Sequence, residues 1–109
     1  MKNIFFTLVV ITLSFMFGRL LAEQLPLKVG QKDKTFTVEH LSVKVGDEVT
    51  FMNDDPFFHN VFSLSPAATF DLGSYPQGES KAYRFEEAGT VQVECAIHPS
   101  MQMIIEVQE

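Results

Sequence analysis

This chain has one cysteine in 109 residues, and 8 lysines and arginines against 14 aspartates and glutamates. A lone cysteine excludes an internal disulfide, so the fold must stand on its core and on whatever the thiol binds. A formal charge of −6 with no basic run excludes nucleic acid as a partner, because phosphate binding needs clustered Lys and Arg. Internal repeats, low-complexity tracts and an interdomain linker are all missing. Beyond the first 22 residues, no segment sustains the period of an amphipathic helix.

Only the N-terminus has a long apolar run. Met1-Lys2-Asn3 is a short basic start, Ile4 to Phe17 is almost wholly apolar, and Arg19-Leu20-Leu21-Ala22 leads to the polar Glu23-Gln24. That order describes a secretory signal peptide, with cleavage expected after Ala22. The alternative is an uncleaved N-terminal anchor, but the run falls short of the roughly 20 residues that a membrane span needs. No cysteine follows it to take a lipid. Residues 1–22 are therefore expected to be removed, leaving 23–109 as one exported, periplasmic domain without a membrane span. A domain of that size gains from a bound metal. Losing Lys2 and Arg19 makes the remainder more acidic, which suits a basic protein partner reached by electrostatic steering.

The remaining sequence reads as short alternating runs broken by turn residues. Phe36, Val38 and His40 alternate with Thr35, Thr37 and Glu39. Ser42 to Val45 meets the turn Gly46-Asp47, and Glu48 to Met52 stops at Asn53-Asp54-Asp55-Pro56. Further runs are His59 to Leu64, Lys81 to Phe85, Thr90 to Cys95 and Met103 to Val107. This spacing predicts an all-β Greek-key β-sandwich of seven to eight strands. Ser65 to Gly78 holds two prolines and two glycines and is expected to be irregular, with one helical turn at most near Pro66 to Phe70.

Strand parity places the thiol. Val91, Val93 and Cys95 fall on one face, and Thr90, Gln92 and Glu94 on the other, which cannot be buried cheaply. Cys95 therefore points inward at a strand end, followed within one loop by His98 and Met101. His59 arrives from another strand. One thiolate, two imidazoles and a weak thioether are the donor set of a trigonal blue-copper site. Met103 is a second axial candidate, and Met101 is preferred because it still belongs to the loop. Pro99 stiffens the loop after His98. Asn60 is expected to tie the His59 segment to the Cys95 loop. His40 reads as a surface histidine and Met52 as packing.

The motifs Val45-Gly46-Asp47-Glu48-Val49-Thr50-Phe51-Met52-Asn53, His59-Asn60-Val61, Phe70-Asp71-Leu72-Gly73, Phe85-Glu86-Glu87-Ala88-Gly89-Thr90 and Cys95-Ala96-Ile97-His98-Pro99-Ser100-Met101 resemble those of the cupredoxins. The resemblance is to the small plastocyanin- and amicyanin-like blue-copper proteins. It implies a cupredoxin-like sandwich, one copper ion cycling between Cu(I) and Cu(II), ligands at His59, Cys95, His98 and Met101, and one-electron transfer. Two residues separate His98 from Met101, as in amicyanins; the longer plastocyanin loop would select Met103. Glu94 stands where plastocyanins carry an aromatic residue used for docking, so that role is not carried over.

On this reading the protein is a monomeric electron carrier, not an enzyme, since an oxidase or nitrite reductase would need further copper sites. Electrons are expected to pass through His98, at a surface formed by Phe57, Phe58, Pro99 and Met103. The partner would be a cytochrome or dehydrogenase, met transiently and steered by Asp54-Asp55 and Glu86-Glu87. The rival functions are copper trafficking or buffering, and an accessory copper subunit of a larger oxidoreductase.

Overall fold

The computed structural model describes residues 27–109; the expected signal peptide, residues 1–22, lies outside them. Nine strands follow one another: β1 (Leu27–Lys32), β2 (Thr35–Phe36), β3 (His40–Lys44), β4 (Glu48–Asn53), β5 (His59–Ser65), β6 (Ala68–Tyr75), β7 (Ser80–Arg84), β8 (Gly89–Glu94) and β9 (Gln102–Gln108). There is no helix among the described residues. One sheet has the order β2-β1-β4-β7 and the other β3-β9-β8-β5-β6. The chain passes repeatedly between them, and β1 with β4 and β3 with β9 form parallel pairs. The result is a two-layer Greek-key sandwich.

Period-2 alternation drives the packing. β4 turns Val49 and Phe51 inward and Glu48 and Met52 outward; β8 buries Val91 and Val93; β9 buries Met103, Ile105 and Val107. Val29, Val61 and Phe85 complete the core between the sheets. Each such side chain contributes about 1.5–3 kcal/mol by leaving water.

Two expectations need correction. The count is nine strands instead of seven to eight, partly because the two-residue β2 pairs with β1 across a tight turn. More significantly, Ala68–Tyr75 is a full strand, not an irregular segment. It pairs antiparallel with β5 and absorbs its glycine in a bulge between the Asn60↔Ser74 and Phe62↔Asp71 pairs. Gly73 has φ +77° there, and the Asp71 carboxylate accepts its N–H at 2.8 Å. The prolines lie outside the strand, so the turn residues bound it without breaking it.

β4 ends, and β5, β8 and β9 begin or end, at one pole of the sandwich. Phe62 pairs with Glu94 and Glu94 with Gln102. The β4–β5 loop and the β8–β9 loop are therefore brought side by side.

Candidate metal centre

His59 opens β5 and is fully buried. Cys95 follows β8 directly and is also fully buried, on the face shared with Val91 and Val93. His98 is half-buried in the following loop. Cys95 Sγ lies 3.8 Å from His59 Nδ1 and 3.9 Å from His98 Nδ1, and the two Nδ1 atoms are 3.1 Å apart. Among the described residues these three form the one cluster of metal-ligating side chains found. The three donor atoms lie within 4.8 Å of one another, close enough to be bound by a single ion. A soft thiolate with two imidazoles suits copper, so the residues present fit the ion.

The loop is held by its own backbone. Met101 N–H donates to His98 O at 2.9 Å, and Cys95 N–H to Met101 O at 3.2 Å. These two bonds curl Cys95–Met101 into a closed turn. Met101 and Met103 are both buried, at 1% and 2% exposure. Register separates them: Met103 pairs with Val93 inside the sandwich, whereas Met101 extends the ladder to the level of Cys95. That placement puts Met101, not Met103, beside Cys95 at the end of the ladder. It also removes Met103 from the surface patch expected around His98.

Supporting contacts surround the triangle. Asn60 Oδ1 accepts the Ala96 N–H at 2.6 Å, joining the β5 segment to the ligand loop, and Asn60 O accepts from buried Gln31 Nε2 at 3.3 Å. Two further residues were not expected from the sequence to support the site. Asp55 Oδ2 meets His59 Nε2 at 2.7 Å, with both side chains buried. Asn53 donates through Nδ2 to Phe57 O at 2.8 Å and Tyr75 O at 2.9 Å, and accepts Asp55 N–H at 2.8 Å. Parity could have flagged Asn53, because it continues the inward set Val49 and Phe51. Nothing in Asp54-Asp55 says which carboxylate turns inward.

The burial of Asp55 corrects the expected Asp54-Asp55 steering pair; only Asp54 is exposed. Glu86-Glu87 follow β7, which runs antiparallel to β4, and so lie at the opposite pole. His40 is exposed, with Nε2 3.8 Å from Glu106 Oε1.

Phe57 packs against both imidazoles, with centroids 5.3 Å from each, and the Lys34 ammonium lies 5.5 Å from its centroid. Phe58 is 54% exposed. Pro99 is exposed as well, and Ile97 adds an exposed apolar side chain not anticipated from the sequence.

Burial alone would raise the Asp55 pKa, but hydrogen bonds from His59, Lys34 and Asp33 outweigh it and hold the carboxyl at about 2. His98 is lowered from 6.5, first by burial, then by the charges of His59 and Lys34, with Asp55 opposing. Both groups therefore bind protons less readily folded than unfolded. Below pH 6.5 the unfolded metal-free chain takes up a proton at His98 first, and below 3.8 at Asp55. Denaturant midpoints of the metal-free protein should fall from 6.5 downward and again from 3.8 towards 2. A midpoint flat across both windows would contradict these assignments.

Residues 23–108 match the copper binding proteins of the plastocyanin/azurin family. No curated protein matches the sequence significantly. Similar solved structures include a Cu(I) form of a methionine-to-alanine mutant of amicyanin, 27% identical, with TM-score 0.71, covering 76% of this chain and 82% of that chain. A reduced Cu(I) form at pH 4 of a proline-to-glycine mutant of amicyanin is 28% identical with the same TM-score and coverage. A copper-containing nitrite reductase from Thermus scotoductus SA-01 is 28% identical with TM-score 0.72, over 78% of this chain but 23% of that chain.

Proposed function

The chain belongs to the plastocyanin/azurin family of copper-binding proteins, and from that premise we propose that it is a small blue-copper electron carrier. One copper ion would be held by His59, Cys95, His98 and Met101. When bound, copper supplies a one-electron couple between its cuprous and cupric states. The observation that carries the reading is the triangle of Cys95, His59 and His98 at one end of the five-stranded sheet. The loop bonds and Asn60 hold the donor loop to β5, which supports a site where little moves when charge changes. The loop from Ala96 to Met101 contains no carboxylate to act as acid or base, which supports a carrier over an enzyme.

His98, half-buried beside exposed Ile97, Phe58 and Pro99, is the proposed entry and exit for electrons. A patch of this kind suits brief contact with a redox protein, such as a cytochrome or dehydrogenase, in the periplasm after export. Transient interfaces of that class are below about 1,200 Å². The net negative charge favours a basic partner, and the association rate should fall as salt rises.

Voltammetry of the copper-loaded protein tests the reading against copper trafficking. A carrier gives a reversible one-electron wave and keeps its copper against a chelator through many cycles. An irreversible wave, with copper passing to the chelator on each reduction, would contradict it.

A further inference from the structure

The turn joining β1 to β2 uses poor residues for its shape. Asp33 and Lys34 have φ of 55° and 57°, the left-handed pair demanded by a two-residue type I′ hairpin, where Asn-Gly or Asp-Gly is usual. Lysine is disfavoured there because its Cβ crowds the backbone. What the conformation achieves is visible next to the metal centre. Asp33 N–H donates to Asp55 Oδ1 at 2.8 Å, and Lys34 N–H donates to Asp55 Oδ2 at 3.0 Å. Successive amides turned to one side make a small anion cradle, and here the anion is a carboxylate 2% exposed. Its other partner is His59 Nε2 at 2.7 Å. The hairpin tip thus lies three contacts from the Cys95 sulfur.

We propose that the Asp33-Lys34 turn is a positioning element of the metal centre: its two amides aim the Asp55 carboxylate, which keeps the His59 proton on Nε2 and leaves Nδ1 free towards Cys95 and His98. The inference rests on reading His59 as a ligand. A carboxylate behind a ligand histidine raises the basicity of the ligating nitrogen. Cu(II), the more highly charged state, gains more from that than Cu(I). Loosening the turn should therefore raise the reduction potential and weaken Cu(II) binding, although no ligand is touched.

Lys34→Gly and Lys34→Val separate the turn from the charge it carries. Both remove the ammonium, but glycine retains the left-handed backbone and a β-branched valine does not. The Val variant should show the higher potential and a Cu(II) affinity lower by roughly ten-fold, within the range for supporting residues. In an Asp55→Ala background the two should coincide, because the side chain that links turn and histidine is gone. Equal potentials and affinities with Asp55 intact would overturn the proposal.

NMR of the metal-free protein gives a second measurement that needs neither the Val variant nor copper. His59 should carry its proton on Nε2, and the Asp33 and Lys34 amides should exchange slowly until Asp55→Ala releases them. An Nδ1–H tautomer, or exchange at the rate of an open surface turn, would overturn the proposal whatever colour the copper-loaded protein shows.

Discussion

Replacing Cys95 with serine should give a folded protein that stays colourless with cupric ion, while His40→Ala stays blue. Cys95 is the chain's one cysteine, and its Sγ lies 3.8 and 3.9 Å from the two imidazole Nδ1 atoms. Serine nearly matches its volume, so the sandwich should survive, with a cost of about 1 kcal/mol for a hydroxyl in this buried place. The hydroxyl is a far weaker donor to Cu(II) and provides no thiolate-to-metal charge transfer. Ligand binding stabilises only a fold that binds, so cupric ion should raise the melting temperature of the native protein clearly and that of Cys95→Ser little. His40 is the control because its ring is exposed and lies beside Glu106, not in the cluster. A blue Cys95→Ser protein would refute the ligand assignment.

Asn53→Ala should produce the largest loss of stability among single changes around the site. Asn53 is fully buried, and one side chain satisfies Phe57 O, Tyr75 O and Asp55 N–H. These belong to the β4–β5 loop and to β6, so the amide holds together the chain on either side of His59. Truncation leaves three backbone groups without their partner, at about 1–3 kcal/mol each where water cannot replace it. Some relaxation is expected, and a net loss of about 3–5 kcal/mol follows, against a typical total of about 5–15 kcal/mol. The denaturant midpoint should fall with little change in slope, and copper should dissociate faster as the His59 segment loosens. A loss below about 1 kcal/mol would show that water substitutes for the amide.

What the sequence revealed and what it hid divide along physical lines. Cys95, His98 and Met101 share one short loop, so chain connectivity alone brings them together, and strand parity turns the thiol inward. His59 is remote in sequence, yet the chain has only three histidines and His40 has no cysteine or methionine nearby to compete for the role. The hidden contributors act through side-chain to backbone contacts between distant segments. Asp55 depends on amides 21 and 22 residues away, and no local pattern reveals such a pairing. β6 was obscured for a different reason. Its composition, with Gly73 and flanking prolines, favours turns, and only pairing with β5 across a bulge makes the extended form the better choice. The surface was legible in composition but not in layout: of the acidic pair expected to steer a partner, Asp55 is buried.

The most direct test is the visible spectrum of the purified native protein after one equivalent of cupric ion, followed by reaction with an alkylating reagent. The account predicts an intense blue absorption and a Cys95 thiol that resists alkylation while the ion is bound. A colourless solution whose thiol reacts as fast as in the metal-free protein would contradict it.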